Sequence, residues 1–407
     1  MPDLPTSLRN LRAWSIDPKV DKLWLWFALL LWVLFGVGTA AYCLHYLGSH
    51  TVSTVYWTAA RQWWASQEMY GSKEMTLEGR HGFLYFPVAA LFFTPFAYLP
   101  LPLAEVLWRV FSLALLAWSF WRICTLIGGN RRALWFGLAT PIALPIIALS
   151  ASNGQANMIV SAAMTLAVCE VAARRWWLAT AWLILGLALK PHTMALILVL
   201  AVLYPPMLWR LLIGVAALAG LPWLHPDPHF VVQQHLSFIE KMRVATRPPP
   251  GANQDLIGLL WTFDVLLPDR AWSVIRALGA IATLGVSWLA HRRFERAAAL
   301  VYTLSIVTVF IMLFNPRTES PTHAMMAIVL GLFAARELIV RPRPLAWAMI
   351  AAALLMALSH GMIRPKNSWI LPELDLWVGT YLIWHVLTRR PAFPAEVPAP
   401  QYTESGK

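Results

Sequence analysis

The chain has 407 residues, of which 59% are apolar and only 13% charged, with a mean hydropathy of +0.58. Soluble domains carry about 45–50% apolar and about 25% charged residues, so disorder and an ordinary water-soluble fold are excluded and a polytopic membrane protein is expected. The formal charge of +12 first suggests nucleic acid, but it is spread over many short loops, which excludes that partner and makes the charge a guide to orientation.

Arg9, Arg12, Lys19 and Lys22 precede the first apolar run, Leu23–Cys43. At about 21 residues this run is long enough to cross a hydrocarbon core of roughly 30 Å and too long for a cleaved signal, so it reads as a retained anchor behind a cytoplasmic segment, 1–22. Further runs place spans near 103–127, 133–150, 158–173, 176–189, 193–208, 210–224, 270–290, 297–314, 324–340, 345–361 and 370–388. The expected fold is all-α, with about 12 transmembrane helices in one domain over 23–390. The tail 391–407, rich in Pro and Ala, reads as a disordered cytoplasmic end. Cys43, Cys124 and Cys169 lie in or beside apolar runs with no CxxC spacing, so no disulfide framework or zinc site follows.

The loops alternate in charge. One set carries Arg122, Arg131, Arg132, Arg174, Arg175, Arg210, Arg292, Arg293, Arg296, Arg336, Arg341, Arg343, Arg389 and Arg390; the other carries nearly all the acids. The Lys/Arg bias makes the first set cytoplasmic and both termini internal. Glu170, the one acid well inside a span, lies four residues before Arg174 and is expected to pair with it. Two outer loops, about 45–102 and 225–269, are too long to be connectors alone. The first contains Val55-Tyr-Trp-Thr-Ala-Ala-Arg-Gln-Trp-Trp64, suited to an interface, and Phe83–Tyr98, apolar enough to resemble a span. Counting Phe83–Tyr98 as a span would turn Arg122, Arg131 and Arg132 outward, and Pro87 and Pro95 interrupt it, so it is expected along the outer surface.

Several segments resemble the family-87 membrane glycosyltransferases of the GT-C superfamily: Tyr56-Trp-Thr-Ala-Ala60, Met69-Tyr70, Phe83-Leu-Tyr-Phe-Pro-Val-Ala-Ala-Leu, Thr94-Pro-Phe-Ala-Tyr-Leu-Pro100 and Leu107-Trp-Arg109. Asn153-Gly-Gln-Ala-Asn157, Gly186-Leu-Ala-Leu-Lys-Pro-His192, Asn253-Gln-Asp-Leu-Ile-Gly258 and Asn315-Pro-Arg-Thr-Glu319 continue the match, which runs over roughly residues 23 to 340. The resemblance implies a GT-C-like fold with interfacial helices in large outer loops. It also implies transfer of a mannose-like or arabinose-like sugar from a polyprenyl-phosphate donor to a lipid- or glycan-linked acceptor. Such enzymes usually carry an Asp shortly after the first span, resembling a general base. Here His45–Tyr56 has no carboxylate. A base must take the acceptor hydroxyl proton, and imidazole or carboxylate serves. His50 is the first candidate by position and Glu68 the second, with His45 and Glu78 in the same loop; each is otherwise a solvated loop residue.

Lys190 stands between two short apolar runs with Pro191 making the break. A cation at membrane depth wants an anionic partner. The lipid-linked phosphate fits, with His192 as a donor, unless Lys190 snorkels to the surface instead. Arg317 suits phosphate by its fixed fork or pairs with Glu319 in its own turn. Glu319 and His323 are candidates for sugar hydroxyls. Asn153, Gln155 and Asn157 either bind hydroxyls or, in the case of Asn153, cap a helix. Asn253, Gln254 and Asp255 lead from Arg247-Pro-Pro-Pro-Gly into a surface helix and are candidate sugar or acceptor contacts.

His225, Asp227, His229 and His235 hint at zinc, but the prolines between them deny a helical ligand face. No cofactor is expected; a divalent cation on Asp255, Asp264 or Asp269 has no ligand spacing behind it. Phosphate-loop and Ser/His/Asp signatures are absent from the sequence. The expected partners are membrane lipid, the polyprenyl-phosphate-linked donor and a glycan or glycolipid acceptor, at a bacterial-type plasma membrane with the active site outside. The alternative is a transporter or flippase for a solute or lipid-linked sugar. Coupled transporters place acids near the bilayer midplane, whereas here the polar weight lies in outer loops.

Overall fold

The computed structural model describes residues 18–49, 51–71, 82–245, 254–315, 318–340, 344–362 and 369–388. Among these residues the chain is all-α, with no strand. The helices are α1 Pro18–His45, α2 Ser53–Trp64, α3 Pro87–Ala97, α4 Leu101–Gly128, α5 Arg132–Asn153, α6 Asn157–Ala172, α7 Trp176–Leu189 and α8 Thr193–Leu203. They continue with α9 Pro205–Gly220, α10 Pro228–Ala245, α11 Leu256–Thr262, α12 Asp269–Arg293, α13 Arg296–Phe314, α14 Met326–Val340, α15 Pro344–Met362 and α16 Ile370–Leu387. The segment 1–17 and the tail 391–407 lie outside the described residues.

Every run expected to span is helical. Six helical stretches are long and apolar enough to cross a membrane: Val20–His45, Leu101–Asn153 (which joins α4 and α5), Pro205–Leu224, Asp269–Arg293, Arg296–Phe314 and Ser320–Ile339. Asn157–Ala172, Trp176–Leu189, Thr193–Leu203 and Pro344–Ser359 are apolar but shorter. The expected runs 193–208 and 210–224 divide differently. The chain breaks at Tyr204 and Pro205 opens α9, so Arg210 lies inside a helix, its guanidinium 4.2 Å from the Trp209 ring centroid and 5.5 Å from that of Trp177. Phe83–Tyr98 forms a helix of only 11 residues whose Pro87 sits in the first turn, where a missing N–H costs nothing. One face packs inward, with Ala90, Phe93 and Ala97 at most 2% exposed, while Pro95 and Tyr98 are exposed on the other.

Composition sorts the layers. In α6 every residue except Ala172 is buried, and α13 and α14 are nearly as enclosed, as expected of helices apolar on all sides. The outer helices invert the usual rule, with apolar side chains exposed on α1 (Val33, Val37), α9 (Leu212, Ile213) and α12 (Leu278, Ile281). Such faces are stable against hydrocarbon, not water.

Polar contacts collect at the two ends of the bundle. At one end Glu170 on α6 pairs with Arg122 at 2.6 Å and Arg175 at 3.6 Å. The expected partner Arg174 instead has a positive φ of 59°, which turns the chain between α6 and α7. Nearby, Arg296 donates to Val171 O at 2.6 Å and Arg293 to Val386 O at 2.8 Å. At the other end, Glu105 and Arg109 of α4 form a buried pair at 2.6 Å, both under 3% exposed. Thr51 and Ser53 donate to Glu105, and Arg109 donates to Thr51 Oγ1, Ser53 Oγ and Ser152 O. Every charge in this knot is thus met by further hydrogen bonds, the condition under which a buried pair is tolerated. It fixes the start of α2 to the end of α5.

Candidate active site

Segments distant in sequence meet beside that knot. The chain leaves α5 through Gly154, whose φ of +69° is left-handed. A Cβ there would stand 2.4 Å from Ser53 Oγ and 3.0 Å from Arg109 Cζ, so both the conformation and the space demand glycine. Asn153 closes this turn: its Oδ1 accepts from Gln155 N at 3.1 Å, so it acts as a turn residue and not as an N-cap. Asn157 donates to Gln155 Oε1 at 2.5 Å and to Pro321 O at 2.9 Å, while Gln155 Nε2 approaches Glu319 Oε2 at 3.5 Å. The 153–157 turn is therefore laid against 319–321.

The third segment joins from the other side. Gln254 N donates to Thr318 O at 2.8 Å, and Ser320 Oγ donates to Gln254 Oε1 at 2.7 Å. Asp255 is 1% exposed and caps α11, accepting from Gly258 N at 2.9 Å. Burial pushes its carboxyl up to about 6, against the opposing pull of the Gly258 N–H and of Arg276.

Two tyrosines join this cluster. Tyr56, on α2, shares a hydrogen bond of 2.5 Å with Tyr85, and its oxygen accepts from Ala156 N at 3.3 Å. Burial above all, then Tyr85 and the Glu319 carboxylate, hold the Tyr56 phenol well above its ordinary range. Lys190 sits in the break between α7 and α8 with its Nζ 5.8 Å from the Tyr85 ring centroid, and the Nε2 of the neighbouring His192 is buried without a hydrogen-bond partner. A cation, two phenols, two amides and a carboxylate are thus brought near one another, and such groups can bind a phosphate and hydroxyls.

Behind them His323, 1% exposed, is 3.0 Å from Asp375 Oδ2 on α16, itself fully buried. The imidazole faces that carboxylate across a hydrogen bond. Glu68, which is exposed, accepts from Tyr70 N at 2.9 Å, Gln234 Nε2 at 2.9 Å and Ser237 Oγ at 3.3 Å, docking the first long loop onto α10. His50, Glu78, Asn253 and Arg317 lie outside the described residues.

Tyr56, Tyr85 and Asp375 were not singled out from the sequence. The first two lie in segments that carry the family resemblance without being marked there as site residues, and the third reads as one more acid of an outer loop. His225 spends its Nε2 on Trp63 O at 3.0 Å, and His235 its Nδ1 on Val231 O at 2.8 Å. Among the described residues no three His, Cys, Asp or Glu side chains are grouped to hold a metal.

The sequence profile of Glycosyltransferase family 87 matches residues 83–316, from the approach to α3 to the end of α13, including Gln155, Lys190 and Gln254. The chain belongs to glycosyltransferase family 87. A stretch of 202 residues is 31% identical to a polyprenol-phosphate-mannose-dependent alpha-(1-2)-phosphatidylinositol mannoside mannosyltransferase of Mycobacterium tuberculosis, covering 44% of this chain and 46% of that one. The chain thus matches under half the length of this relative. No solved structure matches it.

Proposed function

We propose that this glycosyltransferase moves a mannose-type sugar from a polyprenyl-phosphate donor to a lipid- or glycan-linked acceptor on the outer face of a plasma membrane. The observation that carries the reading is the meeting of 153–157, 254–255 and 318–321, with Tyr56 bonded to Ala156 N and to Tyr85, and Lys190 near the Tyr85 ring. Lys190 and His192 would hold the donor phosphate, joined by Arg317. Asn153, Gln155, Asn157, Asn253, Gln254 and Glu319 would present amides and a carboxylate to sugar hydroxyls. The relative's dependence on polyprenol-phosphate-mannose and its glycolipid acceptor support this chemistry. A lipid phosphate as leaving group suits a site without a nucleotide-binding loop. The Arg-rich end, with Arg122, Arg175 and Arg296, supports placing the site outside, all the expected spans in the bilayer and both termini in the cytoplasm.

The test is transfer of labelled mannose by the purified protein in detergent or proteoliposomes, from polyprenyl-phosphate-mannose and, in parallel, from a nucleotide-linked mannose. Transfer from the lipid donor alone is expected. Lys190→Ala should lower transfer at least about tenfold, mainly through weaker donor binding, because the loss of one charge-assisted contact is on the order of 1.5–3 kcal/mol. A monodisperse Lys190→Ala protein with undiminished transfer removes Lys190 from the site.

A further inference from the structure

We propose that the Arg-rich end of the bundle holds the phosphate of an anionic phospholipid between Arg174, in the turn from α6 to α7, and Arg296, at the start of α13. This second site does not depend on the transferase reading, since α7 separates it from Lys190 at that helix's other end. The main-chain oxygen of Val171, in the last turn of α6, accepts from Arg174 N at 3.1 Å and from Arg296 Nη2 at 2.6 Å, so both residues are tied to one carbonyl. Their side-chain charges are near enough to repel. Arg174 also holds a φ of 59°, left-handed backbone that costs a residue with a Cβ on the order of 1–3 kcal/mol. Neither guanidinium has a carboxylate partner among the described residues. Glu170 turns instead to Arg122 and Arg175, and Glu295 is exposed and in no ion pair. Two like charges held side by side without a counter-charge attract an anion between them.

The surroundings favour a lipid over a dissolved ion. Arg296 is half-buried, its Cζ 5.1 Å from the Trp176 ring centroid and 5.3 Å from that of Tyr204, which fixes the cation in place. Trp and Tyr mark the level of lipid headgroups. Beside these rings in the chain, Trp177, Leu178 and Val202 expose apolar side chains along which acyl chains would lie. Basic pockets between helices suit anionic headgroups, and arginine's planar fork suits a phosphodiester. Arg296 makes one side-chain hydrogen bond among the described residues, to Val171 O, so further donors remain. That bond closes the end of α6, a structural duty that Arg296 keeps. Arg174 has no such duty, because its side chain bonds to nothing among the described residues.

The test is the thermal midpoint of delipidated protein in neutral detergent, titrated separately with phosphatidylglycerol, phosphatidylcholine and inorganic phosphate. Phosphatidylglycerol alone is expected to raise it. Arg174→Asn removes the charge and tolerates positive φ; it should raise the half-saturating phosphatidylglycerol concentration at least about tenfold, the loss of one charge-assisted contact. Arg174→Lys should restore most of the response, and Arg132→Gln, at an exposed arginine of the same end, should leave it unchanged. Arg296→Gln should weaken binding as Arg174→Asn does; if it fails to fold, Arg174→Asn decides alone. Equal stabilisation by phosphatidylcholine overturns the proposal, as does an unchanged response in folded Arg174→Asn. An equal loss in Arg132→Gln overturns it in favour of diffuse charge, and an equal rise with inorganic phosphate in favour of a dissolved anion.

Discussion

The carboxyl of Asp255 is where protonation and folding meet. Its folded value near 6 lies above the usual range of about 3.9, because burial penalises the charged form more than the Gly258 N–H and Arg276 favour it. A group raised on folding contributes stability that is complete below its unfolded value and lost as pH rises through its folded value. The protein should therefore lose roughly 2–3 kcal/mol at this position between about pH 4 and pH 7. Asp255→Asn keeps a cap oxygen for Gly258 N without a charge. Its thermal midpoint in detergent should match the parent at pH 4.5 and exceed it at pH 7.5; parallel curves at both pH values would show that burial imposes no such cost. The residue's type and its place before a helix were legible in the sequence. Its burial was not, because that follows from Gln254 pairing with Thr318, a contact across about sixty positions of chain that no local pattern records.

Breaks between helices were the most legible elements. Lys190 and Pro191 interrupt two short apolar runs, and the structure ends α7 and begins α8 on either side of them. A residue preceding proline is pushed to extended backbone, and Lys190 has φ −149° and ψ 138°. The next boundary was misread because α8 is continued by α9 almost without a gap; only Tyr204 and Pro205 mark it, and Arg210 suggested a loop that cation–π stacking makes unnecessary. The segment Phe83–Tyr98 shows the converse: much of its apolar character serves the face of α3 that is buried against other helices. With α3 too short to cross, about 16 Å at 1.5 Å per residue, α4 runs from the site end to the Arg-rich end. A cysteine at Ser66 in a background lacking the three native cysteines should be labelled by an impermeant reagent from outside intact cells, and one at Arg132 should not. The opposite pattern would make α3 a crossing element and reverse the orientation of the bundle.

At the scale of the molecule, composition alone announced a membrane protein, and the structure turns that into an arrangement: α6, α13 and α14 enclosed, α1, α9 and α12 presenting apolar faces outward. The motifs gave the chemistry of the site piece by piece but not its assembly. Gln155, Lys190, Gln254 and Glu319 follow the ends of α5, α7 and α13 and precede the start of α11, and only the fold brings these helix ends near one another. Tyr56 and Tyr85, which supply the contact between the pieces, were hidden among aromatic residues whose interfacial role explained them equally well. The most direct measurement is a cryo-EM structure of the purified protein with a non-transferable polyprenyl-phosphate-mannose analogue. The account predicts phosphate density beside Lys190 and Tyr85, with the sugar between Gln155 and Glu319. Density for the analogue at the Arg-rich end, near Arg122 and Arg296, would contradict it.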